Sequence, residues 1–65
     1  MKIILNGEPQ KTDCGTLQAL LEELGHKEKS VATAVNKIFV PKTSRDSYLL
    51  ESGDLIEIIA PMAGG

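Results

Sequence analysis

The sequence predicts an α+β fold, a mixed sheet of four to five strands packed on one main helix. Three observations carry this reading. Apolar residues alternate with period two near both ends and in the middle of the chain, the period changes once to that of a helix, and the most apolar strands come first and last.

The opening stretch MKIILN is a strand rich in β-branched residues, with Ile3 and Leu5 on one face and Ile4 on the other. Asn6-Gly7 is a two-residue turn signal, because both central positions of a type I′ turn need positive φ. A second strand should run back antiparallel from about Glu8 to Asp13, and its polar composition and Pro9 suit a sheet edge. Leu17, Leu20, Leu21 and Leu24 then fall at the i, i+3, i+4, i+7 spacing of one helical face, with Gln18, Glu22 and Glu23 opposite. Thr16 is the expected N-cap and Gly25 the expected C′ residue of a three-turn helix. The segment HKEKS reads as a solvated connection, with Lys27 and Lys29 near the negative end of the helix and His26 in solvent.

In VATAVNKIFVP the alternation returns, with Val31, Thr33 and Val35 on one face. Asn36-Lys37 is a weaker turn signal, followed by a short return strand from Ile38 to Val40 that Pro41 ends. KTSRDSY has no period and reads as loop with room for one 3₁₀ turn. Ser52-Gly53 is a further turn, after which DLIEIIA forms the last strand, with Ile56 and Ile58 on one face and Leu55, Glu57 and Ile59 on the other.

These elements fit together if the first and last strands lie parallel and adjacent at the sheet centre, with the leucine face of the helix across them. That is a β-grasp (ubiquitin-like) arrangement. It divides the chain into a β-grasp domain, residues 1–60, and a flexible reactive C-terminal tail, residues 61–65. The last strand is clamped in the sheet, so the tail departs from a rigid body at a defined point.

Size and composition narrow the function. A chain of 65 residues buries only about 60% of its unfolded surface and has no room for a large catalytic cavity. With 42% hydrophobic and 25% charged residues it is composed like a folded protein. A net charge of -2 gives no electrostatic reason to expect nucleic acid or an anionic membrane. No apolar run reaches the length of a membrane span and no signal-peptide core follows Met1, so the cytoplasm is the expected location. Cys14 is the single cysteine, which excludes an internal disulfide and leaves too few thiols for a zinc site. No Lys or Arg follows Arg45, whereas Asp46, Glu51, Asp54 and Glu57 do. A partner should therefore present basic residues around the site that receives the tail.

The tail is thin. Pro61 ends strand pairing, Met62 and Ala63 are small or adaptable, and Gly64 and Gly65 have no β-carbons. Such a segment can enter a narrow channel and leaves a terminal carbonyl open to attack from either side. A carboxylate is a poor electrophile, but attack of its oxygen on the α-phosphorus of ATP gives an acyl adenylate that sulfur or nitrogen nucleophiles can open. The chain has no phosphate-cradling glycine loop and no acidic metal pair, so it is expected to bind no cofactor, and the ATP and magnesium sites belong to a partner. The competing view of a glycine pair is an ordinary frayed end.

Six motifs bear on that choice: LNG at 5–7, AVN at 34–36, FVP at 39–41, SGD at 52–54, IEI at 56–58 and PMAGG at 61–65. Together they resemble the ThiS family of sulfur carriers in thiamine biosynthesis, over essentially the whole chain. The resemblance implies that Gly65 is adenylated by the E1-like enzyme ThiF and converted to a thiocarboxylate. Its sulfur comes from a persulfide donor such as a cysteine desulfurase and is passed to the thiazole synthase ThiG. Gly64, Ala63, Met62 and Pro61 then form the segment that enters the partner's channel, and the chain is a cosubstrate rather than an enzyme, a monomer on its own. Two positions depart from the common pattern of relatives: Lys37 where glycine follows the asparagine, and Leu55 where a polar or basic residue is usual. The small subunit of molybdopterin synthase, a ubiquitin-like protein modifier and an interaction domain with an inert tail are the competing readings.

Ile4, Leu55 and Ile59 point away from the helix in this arrangement and form a candidate docking patch, which Phe39 either joins or leaves to seal a core edge. Cys14, near the helix start, could accept sulfane sulfur, but no histidine or second cysteine assists it, and a structural role is the simpler expectation. The acids Asp46, Glu51, Asp54 and Glu57 lack the spacing of an acid–base dyad and read as solvated surface.

Overall fold

The computed structural model describes residues 1–25 and 31–59. The HKEKS connection (with His26, Lys27 and Lys29), Ala60 at the end of the expected domain and the tail, residues 61–65, lie outside the described residues. The elements are β1 (Lys2–Leu5), β2 (Glu8–Lys11), α1 (Leu17–Glu23), β3 (Ala32–Val35), β4 (Ile38–Val40), a 3₁₀ helix (Lys42–Ser47) and β5 (Leu55–Ile59). The five strands form one sheet in the order β2-β1-β5-β3-β4. The fold is the expected β-grasp, with the full five strands.

The last strand occupies the centre. It runs parallel to β1, with Ile4 beside Leu55 and Leu5 beside Ile56, and antiparallel to β3, from Ala32 beside Ile59 to Val35 beside Ile56. Parallel neighbours cannot be joined by a tight turn, so the rest of the chain makes the crossover between them and carries the helix onto one sheet face. Leu17, Leu20 and Leu21 are fully buried there against Ile3, Val35, Ile56 and Ile58. Burying each such side chain stabilises the fold by roughly 1.5–3 kcal/mol.

Helix α1 has seven residues, about two turns rather than the expected three. The Thr16 hydroxyl accepts from the Ala19 amide at 3.1 Å and starts it. Leu24 is already the C-cap, and Gly25 at φ +84° turns the chain out, so the fourth leucine packs half-buried at the helix end. Strand β2 likewise stops at Lys11, short of the expected Asp13. Pairing runs on one residue further, the Thr12 amide donating to the Met1 carbonyl at 2.9 Å and the Thr12 carbonyl accepting from the Met1 ammonium at 2.8 Å. The buried Thr12 hydroxyl then accepts the Cys14 amide at 3.0 Å and turns the chain beyond the ladder.

The stretch read as loop contains a six-residue 3₁₀ helix, and its Arg45 side chain is buried. Arg45 Nε donates to Thr33 Oγ1 at 3.2 Å and its Nη2 donates to the Val31 carbonyl. Thr33 Oγ1 in turn donates to the Val40 carbonyl at 2.9 Å. A guanidinium buried at the edge of a small core thus donates to a hydroxyl and a main-chain carbonyl and ties the 3₁₀ helix to β3 and β4.

Both hairpins turn on positive φ at two successive residues: 50° and 87° at Asn6-Gly7, 53° and 69° at Asn36-Lys37. Only the second asks this of a residue with a long side chain. A left-handed conformation costs a non-glycine residue roughly 1–2 kcal/mol, part of which a glycine would return as entropy of the unfolded chain. Lys37→Gly should therefore stabilise the protein by roughly 0.5–1 kcal/mol and raise the thermal midpoint by about 3–6 °C, as checked by circular dichroism melting.

Candidate functional site

Strand β5 alternates in burial along its length: Ile56 and Ile58 face the helix, whereas Leu55, Glu57 and Ile59 face outward. Residues directly opposite in a sheet share a face, so the register sets the neighbours of this outer surface. Ile4 lies beside Leu55 on β1, Ala34 beside Glu57 on β3, and Phe39 beside Ala34 on β4. The four apolar residues singled out from the sequence thus occupy one face. Leu55 is 41% exposed, while Ile59 and Phe39 are each 65% exposed and Ile4 is half-buried.

They are not equivalent in position. Ile4 and Leu55 are brought together in a shallow groove of about 170 Å³, lined also by Gly7, Lys37, Ile56 and Glu57. Ile59 lies further along β5, with Glu57 between it and Leu55 on the same face, and Phe39 lies across β3. Phe39 belongs to the outer face and does not seal the core. The groove therefore has an apolar floor with one carboxylate and one ammonium at its rim.

The four C-terminal acids are not gathered at one place. Asp54 is committed to the turn before β5, its Oδ2 accepting from the Glu51 amide at 2.9 Å and its Oδ1 from Asn36 Nδ2 at 3.0 Å. Asp46 belongs to the 3₁₀ helix, Glu51 to the turn, and Glu57 to the outer face. Cys14 is half-buried against the core, and its Sγ donates to the Glu23 carboxylate oxygens at 3.6 and 3.7 Å. Among the described residues no three His, Cys, Asp or Glu side chains gather as metal ligands, and no described helix is long and apolar enough to cross a membrane.

Sequence reasoning read Asn6 and Asn36 only as turn residues. In the structure both reach the central strand: Asn6 Oδ1 accepts from the Ile58 amide at 2.9 Å, and Asn36 Oδ1 accepts from the Leu55 amide at 3.0 Å. The available signal was their matching place, each after an apolar strand and at the first position of a two-residue turn. Gly65, Gly64, Ala63, Met62 and Pro61 lie outside the described residues, so the structure locates the strand from which the tail departs.

Comparison with known proteins supplies what geometry leaves open. The profile of the ThiS family matches residues 3–65. The chain is 38% identical over 61 residues to the sulfur carrier protein ThiS of Thermus thermophilus, covering 94% of this chain and 95% of that protein. It is 39% identical over 66 residues to a thiazole synthase of Paramagnetospirillum magneticum, matching all of this chain but spanning only 20% of that longer protein. The crystal structure of a thiamine biosynthesis protein (ThiS) from Geobacter metallireducens superposes with a TM-score of 0.84 at 25% identity, covering the whole of both chains. With a family match over nearly every residue, near full-length similarity to a carrier protein and the same β-grasp sheet, the chain belongs to the ThiS family of sulfur carrier proteins.

Proposed function

We propose that this carrier works through Gly65. An E1-like enzyme of the ThiF type joins its terminal carboxyl to AMP, using ATP and magnesium and releasing pyrophosphate. A persulfide donor such as a cysteine desulfurase attacks the acyl adenylate and expels AMP. A second thiol then cleaves the resulting acyl disulfide and leaves a thiocarboxylate on Gly65. A thiazole synthase of the ThiG type takes the sulfur. Membership of the ThiS family supports reading the chain as a sulfur carrier of thiamine biosynthesis that serves as a cosubstrate rather than a catalyst. The thiocarboxylate is a soft nucleophile tethered to a protein, so its sulfur does not diffuse away as free sulfide would.

One observation carries the reading: the sequence PMAGG follows the central strand of a β-grasp sheet after a single residue, Ala60. The scaffold holds the base of the tail, and the tail itself has little side-chain bulk to keep it from a narrow channel. A likeness in the longer relatives supports the receiving partner. A segment similar to this chain occurs within proteins named thiazole synthase, an arrangement that raises the effective concentration of donor for acceptor.

Docking in this reading uses the outer sheet face, with Ile4, Leu55, Ile59 and Phe39 giving apolar area. Basic residues on the partner complement Glu57 on the same face.

Intact mass measurement tests the chemistry. After incubation with the activating enzyme, Mg-ATP and a persulfide donor, the chain should gain the mass of one oxygen replaced by sulfur, and deletion of Gly65 should abolish the gain while the circular dichroism spectrum is retained. A ladder of covalent adducts on lysines would instead mark a protein modifier, and no ATP-dependent change an inert tail. Leu55→Asp or Ile59→Asp should weaken binding to the activating enzyme on the order of tenfold in a titration without unfolding the domain, since both side chains already face water. Cys14→Ala should be charged to the same extent as the parent chain, because the thiol packs against the core and Glu23 rather than toward the outer face.

A further inference from the structure

We infer that Asn6 and Asn36 are positioning residues for the charging reaction, each locking one edge of the strand from which the tail departs; the inference rests on the functional reading above. The two asparagines occupy equivalent places. Each ends a strand that borders β5, and each enters a two-residue turn at nearly the same backbone angle, φ 50° and 53°. Where a bordering strand turns away, the central strand loses its main-chain partner. At both places a carboxamide takes over.

On the β3 side, the Asn36 amide donates to the Leu55 carbonyl at 2.7 Å and Asn36 Oδ1 accepts from the Leu55 amide at 3.0 Å. One residue thus satisfies both main-chain groups of Leu55, with its side-chain carbonyl standing in for the backbone carbonyl that the turn has carried off. Its Nδ2 donates to Asp54 Oδ1 at 3.0 Å, which fixes the carboxamide orientation. On the β1 side the Asn6 amide donates to the Ile56 carbonyl at 2.8 Å, and Asn6 Oδ1 accepts from the Ile58 amide at 2.9 Å. Asn36 grips the entry to β5 and Asn6 grips it near its exit, from the opposite edge.

The exit matters for the chemistry. Six residues follow Ile59 in the sequence, and at about 3.3–3.6 Å each they reach about 20 Å at most. If the Asn6 carboxamide were absent, the β1-facing edge of β5 would be held only as far as the Ile56 carbonyl. Loosening from there would shift the base of the tail on its β1 side, while β3 still borders Ile58 and Ile59 on the other edge and Ile4, Leu55 and Phe39 of the docking face stay in place. A longer and less directed tether lowers the effective concentration of the terminus at the reacting centre, and misplacement by about 1 Å can cost a reaction as much as 100-fold.

A turn former alone would not need these side chains. Glycine accepts positive φ at no steric cost, and aspartate tolerates it while keeping an acceptor oxygen. Asn6→Gly therefore keeps the turn and removes the grip, whereas Asn6→Asp keeps both. In steady-state charging read by intact mass, Asn6→Gly should lower kcat on the order of tenfold, with KM for the carrier within about twofold because Ile4, Leu55 and Phe39 of the docking face stay in place. Asn6→Asp should restore kcat to within about twofold of the parent. Hydrogen exchange at the Ile58 amide should quicken in the glycine variant only. Asn36→Gly should act in the same direction at the other edge, without rescue by Asn36→Asp, whose carboxylate would face Asp54.

A folded Asn6→Gly chain charged at the parental kcat, or an Asn6→Asp chain as slow as Asn6→Gly, overturns the positioning role. So does a lowered melting temperature with unchanged kcat where the variant is folded. If Asn6→Gly does not fold, the folded Asn36→Gly chain is read against the parent instead, and parental kcat there overturns the positioning role. A parent chain that is not charged overturns the functional reading, and this inference with it.

Discussion

The pairing of the final strand with the first is the interaction on which the rest of this structure depends. β5 must be bordered on both edges and covered on one face, and β1 and β3 provide the edges while the leucines of α1 provide the cover. Because β1 and β5 are parallel, all the intervening chain has to cross over between them, and that crossover puts the helix on the inner face. The outer face of β5 is then left to Leu55, Glu57 and Ile59, with Ile4, Ala34 and Phe39 on the neighbouring strands. The same pairing thus creates the core and the exposed surface beside the point of tail departure.

Much of this was legible because it rests on period and turn chemistry. Leu17, Leu20 and Leu21 declare the buried helical face, Asn6-Gly7 and Asn36-Lys37 declare the hairpins, and the apolar character of the first and last strands implies a central position for both. What escaped depends on contacts between residues far apart in sequence. Arg45 is a charged residue in an aperiodic stretch, and only the approach of the 3₁₀ helix to β3 supplies the hydroxyl and carbonyl that allow its burial. The grip of Asn6 on Ile58 spans most of the chain length, and the turn motif that marks Asn6 does not tell which amide its side chain reaches. Local capping groups, rather than periodicity, decided the two strand and helix ends that fell short.

The candidate site was legible to a similar degree. Alternation alone put Ile4, Leu55 and Ile59 on one face, but it did not show that Ile4 and Leu55 share a groove with Glu57 and Lys37 while Ile59 stands apart. A carrier that meets more than one enzyme benefits from this separation of tasks. In the proposed reading each partner meets the same sheet face, while the terminus it receives changes from carboxylate to thiocarboxylate.

The central place of β5 has a consequence for how such a molecule is made. Helix α1, at seven residues, is too short to persist by itself, and β1 lacks its inner neighbour until β5 arrives. Synthesis from the N-terminus therefore yields no stable sheet until residue 59 has emerged from the ribosome. A chain that lacked that strand would leave the inner edges of β1 and β3 unpaired, so the segment that supports the tail is also the one that completes the sheet.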